Sequence, residues 1–262
     1  MPKRQLKDLR VILTGASSGI GWHLAKILAG KQAQLIITAR REDRLSQLQQ
    51  EIKAEGGVCH TVCGDITEEA TRQLLLSTAV DKLAGLDVLV NNAGIGAMGR
   101  FDEASSERLR KLFDVNFFSA AELIRAAIPQ LRSGRTPLIV NVSSVLGHRA
   151  VPLKSEYCVS KFAMHGFSDS LRAELADDGI HVQLVSPSTT DSEFFDSAIE
   201  DSTKKDWKKA GSMSPERVAR IMARVMRSNR HEITLSAGGK SLVWLDRIFP
   251  TLADRIVARF GQ

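Results

Sequence analysis

Seven short apolar runs recur along the chain, separated by stretches of helical periodicity, and this alternation limits the folds open to it more than any other feature. The runs are RVILT, AQLIITA, GVCHTVC, DVLVNN, PLIVNVS, IHVQLVS and HEITLS. Most are apolar without clean two-residue alternation, as strands covered on both faces should be. Between the second and third, REDRLSQLQQEIKAEGG puts Leu45, Leu48 and Ile52 on one helical face and Gly56 where a helix would end. Strand–helix alternation with right-handed crossovers predicts an α/β fold: a doubly wound parallel sheet of about seven strands with helices on both faces. No repeat, linker or low-complexity segment divides the 262 residues, so one domain is expected.

Composition narrows the function classes. A hydrophobic fraction of 43% with 25% charged residues suits a globular chain with a sizeable core. The net charge is +6, but residues 1–10 carry +3 and residues 240–262 carry +2, which leaves +1 for the body. A nucleic-acid binder would show its basic excess as a stripe with aromatics on the folded body, so nucleic acid is not an expected partner. No apolar run is long enough to span a bilayer, and MPKRQLKDLRVILTG has no signal-peptide core. Cys59, Cys63 and Cys158 are too few for a disulfide framework. Cys59 and Cys63 read as small buried thiols rather than metal ligands, no metal site is expected, and the compartment implied is the cytoplasm.

The rhythm fails once, over residues 187–213, where polar residues surround Phe194, Phe195 and Trp207. It resumes at SPERVARIMARVM, with Ser214 suited to cap a helix and Pro215 to its first position. A long excursion after a parallel strand reads as a substrate lid, or else as an irregular surface loop.

The first run leads into TGASSGIGWHLAKILAG, so that Gly15, Gly19 and Gly21 form a G-x-x-x-G-x-G turn between a strand and a helix. Such a turn allows close backbone approach, and the helix N-terminus offers free N–H groups to a pyrophosphate. At the end of the second run stands Ala39, where an acid would hold a ribose hydroxyl, followed by Arg40 and Arg41. Guanidinium suits a 2′-phosphate, which favours NADP(H) through Arg40, whereas Arg41 also fits the start of a solvated helix.

In SEYCVSKFAMHGF the only tyrosine, Tyr157, precedes Lys161 by four residues. On a helix the two share a face, offset by about 40°. A nearby ammonium stabilises a phenolate, although a half-buried tyrosine beside a solvated lysine is the blander reading.

Taken together, Gly15-x-x-x-Gly19-x-Gly21, the NNAG of Asn91 to Gly94, NVSS and Tyr157-x-x-x-Lys161 resemble, in order, the short-chain dehydrogenase/reductase family over roughly residues 8–235. The resemblance implies a Rossmann-type fold, hydride transfer between NADP(H) and a carbonyl or alcohol, and Tyr157 as the acid/base group. It implies Ser144 as the catalytic serine, thirteen residues before Tyr157, with Ser143 as the fallback. It assigns Asn116 to a water-linked proton path to Lys161, and Lys161 also to the nicotinamide ribose. Further cofactor contacts are implied for Ser17, Ser18, Ile20, Asp65 (adenine), Ile66, Asn92 (ribose), Ala93, Pro187 and Thr190, with Thr14 tying the glycine turn to the fourth strand.

Two departures stand out. Ser188 replaces the family's usual glycine, and Ser192 stands at the usual threonine position. Residues 240–262 form an amphipathic extension to a 1–239 cofactor-binding domain, with Trp244, Ile248 and Leu252 in step and Pro250 expected to split it into two helices. Coverage of its apolar side by the lid or by a sister subunit is expected, in a homodimer or homotetramer; peripheral membrane contact is the alternative. Leu146, Leu153, Phe194, Phe195 and Trp207 imply a lipophilic substrate. A regulatory NADPH-binding protein with little turnover is the second function class.

Overall fold

A computed structural model describes residues 4–191, 194, 199 and 212–258. All seven apolar runs are strands: β1 (Arg10–Thr14), β2 (Gln34–Ala39), β3 (Val58–Cys63), β4 (Val88–Asn91), β5 (Leu138–Val142), β6 (His181–Ser186) and β7 (Glu232–Thr234). They form one parallel sheet in the order β3-β2-β1-β4-β5-β6-β7. The order reverses between β1 and β4, so the chain leaves these neighbours in opposite directions and opens a crevice at their carboxyl ends.

The helices are α1 (Gly19–Ala29), α2 (Glu42–Ala54), α3 (Glu69–Leu83), α4 (Ser106–Phe113), α5 (Ser119–Arg132), α6 (Ser155–Glu174), α7 (Pro215–Val225), α8 (Ala237–Ile248) and α9 (Pro250–Ala258). Successive strand residues feed two cores. Val11, Leu13, Leu35 and Ile37 pack against α1, α2 and α7, while Ile12, Ile36, Leu89 and Ile139 pack against α3, α5 and α6. Both faces are covered, which is why the strands lack a polar alternation.

Local signals hold up. Gly56 has φ +78° just beyond α2, and the Ser214 side chain accepts the Arg217 N–H at 3.2 Å with Pro215 opening α7. Pro250 starts α9 directly after α8. Two expectations are corrected. The boundary at residues 239 and 240 falls inside α8, because Ser236 caps that helix by accepting the Gly239 N–H at 2.8 Å. Cys63 is exposed rather than buried, since it ends β3 at the sheet's edge, whereas Cys59 and Cys158 are buried.

Asp87, just before β4, is fully buried. It accepts hydrogen bonds from the Arg10 backbone N–H (3.0 Å), Arg10 Nε (2.9 Å) and Nη2 (2.6 Å), and the Arg135 N–H (2.8 Å). These donors register β1, β4 and the entry to β5 at the end of the sheet away from the crevice.

Candidate active site

The crevice is a cleft of about 930 Å³ running from the β2 end to the C-terminal helices. Its centre is the glycine turn. Gly15 and Gly19 have φ of +67° and +54°, which side-chain-bearing residues adopt at a cost. Gly21 does not line the cleft; a Cβ there would lie 2.2 Å from the Gly15 carbonyl oxygen, so its part is close packing. Thr14 Oγ1 accepts the N–H groups of Asn92 (3.0 Å) and Ala93 (2.9 Å), and Asn92 Nδ2 donates to the Thr14 and Gly15 carbonyls, each at 3.0 Å. Thr14 thus ties the turn to β4 as expected. The Asn92 amide is engaged in bracing that turn.

Ser17, Ser18, Gly19 and Ile20 line the cleft at the start of α1, where Ser18 makes no side-chain cap and the first turn holds no acid. The helix N-terminus is therefore open to an anion. Arg40 and Arg41 line the same end. Arg41 Nε is 3.2 Å from Ser17 Oγ and its Nη2 is 3.3 Å from the Ser17 carbonyl, so Arg41 folds back onto the glycine turn rather than merely starting a solvated helix. Beside them, Asp65 accepts the Thr67 N–H (2.9 Å) and hydroxyl (2.8 Å). Burial opposes its ionisation, but those bonds and the charges of Arg40 and Lys111 hold the carboxyl below its usual range. Thr38, which the sequence reading missed, lines the cleft with a buried Oγ1 that has no partner among the described residues. A bare helix terminus, a glycine cradle, two arginines and an orphaned hydroxyl fit a nicotinamide dinucleotide.

At the other end, Ser144, Tyr157 and Lys161 converge. Ser144 follows β5 and caps a short turn, accepting the Leu146 N–H at 3.1 Å, while Ser143, also in the cleft wall, donates its hydroxyl to the Lys161 carbonyl at 3.1 Å. Tyr157 and Lys161 are both buried on α6, with Lys161 Nζ 5.7 Å from the Tyr157 ring centre and donating to the Val142 carbonyl at 3.1 Å. Burial pushes the phenol above its ordinary value against the Ser144 hydrogen bond, and burial alone lowers Lys161 to about 8. The half-buried reading is thereby excluded.

Asn116 is not in the cleft wall. It sits in a π-helical turn, Asp114–Phe118, donating to the Ile95 carbonyl (3.0 Å) and Ser160 Oγ (3.0 Å) and accepting the Ile95 N–H (2.8 Å). Its amide buttresses the chain after β4, and its Oδ1 and Lys161 Nζ flank Gly94, 3.1 and 3.5 Å from where a Cβ there would stand. Pro187 lines the cleft and accepts the Val145 N–H at 2.9 Å. Ser188 is not among the residues with positive φ, so this backbone does not need the family's glycine. Thr190 pairs with Met213: the Asp191 N–H donates to the Met213 carbonyl and the Met213 N–H to the Thr189 carbonyl, both at 3.0 Å. Ile199 donates to the Gly96 carbonyl at 2.9 Å. The rest of the proposed lid, with Ser192, Phe195 and Trp207, lies outside the described residues.

Leu146 and Phe194 line the cleft, with Phe194 edge-on to Tyr157 at 5.8 Å, but Leu153 does not. Leu153 has φ +64°, an uncommon backbone conformation for a residue with a side chain. The C-terminal extension closes this end instead, through Gly238, Gly239, Ser241, Leu242, Leu245, Ile256 and Val257. Arg149 fastens it, bonding Asp246 at 2.7 Å and Asp254. On the single chain, among the described residues, Trp244, Ile248, Phe249 and Leu252 on its outer side are 60%, 58%, 59% and 47% exposed.

The geometry defines a dinucleotide-dependent oxidoreductase fold, and comparison with known proteins gives the class its name. The family description "short chain dehydrogenase" matches residues 10–203, and the chain belongs to that family. Ketoacyl reductase HetN of Nostoc sp. is 30% identical over 96% of this chain and 88% of its own. Human dehydrogenase/reductase SDR family member 7 is 29% identical, over 100% of this chain and 80% of its own. Among solved structures, a Burkholderia phymatum short-chain dehydrogenase/reductase in complex with NAD superposes with a TM-score of 0.87 at 22% identity, covering 95% of this chain and 96% of that one. A Burkholderia cenocepacia short-chain dehydrogenase in complex with NADP gives 0.79 at 26% identity, covering 90% and 100%. No described helix is long and apolar enough to cross a membrane.

Proposed function

We propose that the protein is an NADP(H)-dependent oxidoreductase interconverting a carbonyl and an alcohol on a lipophilic small molecule. The observation that carries this reading is the meeting of Tyr157, Ser144 and Lys161 in the same cleft as an uncapped α1 N-terminus and two arginines. A nicotinamide dinucleotide bound along the glycine turn supplies the hydride donor or acceptor. Tyr157 holds the proton that the substrate oxygen gains in reduction and loses in oxidation. Its burial keeps that proton in place, while the Ser144 hydroxyl bonded to it is positioned to steer and stabilise the substrate oxygen. Lys161, lowered to about 8, is still mostly protonated at about pH 7 and brings positive charge to the phenol. The reading prefers NADP(H) to NAD(H) because Arg40 and Arg41 line the same cleft as the glycine turn and guanidinium suits a 2′-phosphate. Leu242, Leu245, Ile256 and Phe194 make the substrate end apolar. The exposed face of α8 and α9 suits a second subunit, with light scattering as its check.

The decisive experiment is turnover on a panel of apolar ketones, aldehydes and alcohols with both cofactors. Tyr157→Phe should keep cofactor affinity and lose nearly all turnover, because only the hydroxyl is removed. Binding without turnover in the unmodified protein would favour a regulatory role, and substantial activity in Tyr157→Phe would sink the assignment.

A further inference from the structure

Outside the residues that line the cleft, three side chains from separate parts of the chain converge. His148 follows Ser144 by four residues, His165 lies one helical turn beyond Lys161 on α6, and Glu232 opens β7. Their ligand-type atoms all lie within 4.8 Å of one another. His148 Nε2 is 3.5 Å from one carboxylate oxygen of Glu232, and His165 Nε2 is 3.5 Å from the other. With bonds of about 2.1 Å, a tetrahedral zinc ion needs ligand atoms about 3.4 Å apart. Each imidazole nitrogen and its carboxylate oxygen are already spaced like one edge of that tetrahedron.

We propose that His148, His165 and Glu232 form a binding site for a divalent transition-metal ion of the zinc type. Two imidazoles with a carboxylate suit zinc, cobalt or nickel, whereas magnesium and calcium prefer all-oxygen sites. His165 is already oriented as a ligand: its Nδ1 is 3.3 Å from the Gly147 carbonyl, the outer contact that fixes a ligating imidazole and aims Nε2 inward. Asp169 Oδ2, 3.5 Å from His165 Nε2, stands at the rim as a fourth oxygen or a partner for bound water. The His148 side chain is only 2% exposed and its Nδ1 has no partner among the described residues. Glu232, 34% exposed, gives an ion its way in. Two features oppose binding and keep affinity moderate. Ser186 Oγ, 2.9 Å from His148 Nε2, must be displaced, and the charge of Arg247 acts on Glu232. An ion held here would join the Ser144 turn, α6 and β7 into one rigid unit. The proposal does not depend on the reaction assigned above.

The test uses full-length, tag-free protein stripped with a chelator and titrated with zinc and, separately, cobalt. One ion per chain is expected, and cobalt should develop the intense visible absorption of a four- or five-coordinate site. At a metal concentration about 100 times Kd, the melting temperature should rise by about 5–10 °C. His165→Gln and Glu232→Gln, both at partly exposed positions, should each weaken binding by about tenfold or more. The inference is overturned by no saturable binding at millimolar metal, by a cobalt spectrum that stays octahedral, or by affinity unchanged in both variants. Circular dichroism of the metal-free variants checks that they fold, and the cobalt spectrum of the unmodified protein decides the matter if they do not.

Discussion

Adding one methyl group at Gly21 should damage the dinucleotide site more than its size suggests. An alanine Cβ there would stand 2.2 Å from the Gly15 carbonyl oxygen and 2.7 Å from Asn92 Nδ2, where ordinary contact begins near 3.4 Å. The first clash is with backbone and no rotamer relieves it, so the turn must retreat by about 1.2 Å. That movement pulls the Gly15 carbonyl from Asn92 Nδ2, now at 3.0 Å. Overpacking costs about 1–3 kcal/mol and the lost hydrogen bond about 0.5–1.5 kcal/mol, giving about 2–4 kcal/mol together. Divided between folding and binding, this should lower the melting temperature by several degrees and weaken NADPH binding at least tenfold. Quenching of Trp22, on α1 beneath the Arg44 guanidinium at 4.8 Å, reports binding, and a thermal melt reports stability. Gly166→Ala is the control: it sits exposed on α6 with nothing within 4 Å of an added Cβ, and should stabilise by about 0.4–1 kcal/mol. If Gly21→Ala melts and binds like the unmodified protein, or if Gly166→Ala is equally harmful, the steric argument is wrong.

Other expectations follow from the same geometry. Arg40→Ala and Arg41→Ala should each weaken NADPH binding by roughly ten- to a hundredfold, about 1.5–3 kcal/mol per charged hydrogen bond, while sparing NADH; equal affinity of the unmodified protein for both cofactors would refute the phosphate role. Burial opposes ionisation of Asp87, but its Arg10 and Arg135 donors hold its carboxyl below the usual range. Its folded value is therefore below the unfolded one of about 3.9, so the stabilisation is complete above that pH and is lost as pH falls through the folded value. Asp87→Asn should cost about 3–5 kcal/mol at neutral pH and flatten the acid limb of a melting-temperature profile taken down to about pH 3. Arg149→Ala should loosen α8 and α9 by about 1–2 kcal/mol, discounted because Asp254 is largely exposed. Limited proteolysis should then cut within residues 240–258 while NADPH affinity holds.

The sequence made legible what local chemistry dictates. Each strand came from an apolar run, the α7 start from Ser214 and Pro215, the α8–α9 break from Pro250, and the glycine turn from its spacing. Long-range packing was hidden. Arg149 meets Asp246 and Asp254 from 97 and 105 residues away, and no periodicity announces that this brings Leu242 and Leu245 into the cleft wall. Leu153 was misread because it is apolar and close in sequence to Tyr157, yet Val151, Pro152 and Lys154 line the cleft and it does not. Thr38 escaped notice because a hydroxyl on a buried strand is ordinary unless nothing bonds it. Asn116 kept its neighbourhood, but its Ile95 and Ser160 bonds depend on a π-turn that has no simple sequence signal.

The pairing of Thr190 with Met213 has an evolutionary consequence. The chain leaves the rim of the cleft and returns to the same point, with Asp191 and Met213 bonded across the gap. What is spliced between two clasped ends is nearly free to change length, since doubling a loop adds only about 0.6 kcal/mol of closure entropy. The clasp between Asp191 and Met213 therefore marks a place where a family member could trade the segment it closes, and with it the substrates accepted, while inheriting the cofactor frame. A chimera carrying a relative's insert between Asp191 and Met213 should keep its NADPH affinity and change its preferred carbonyl compound.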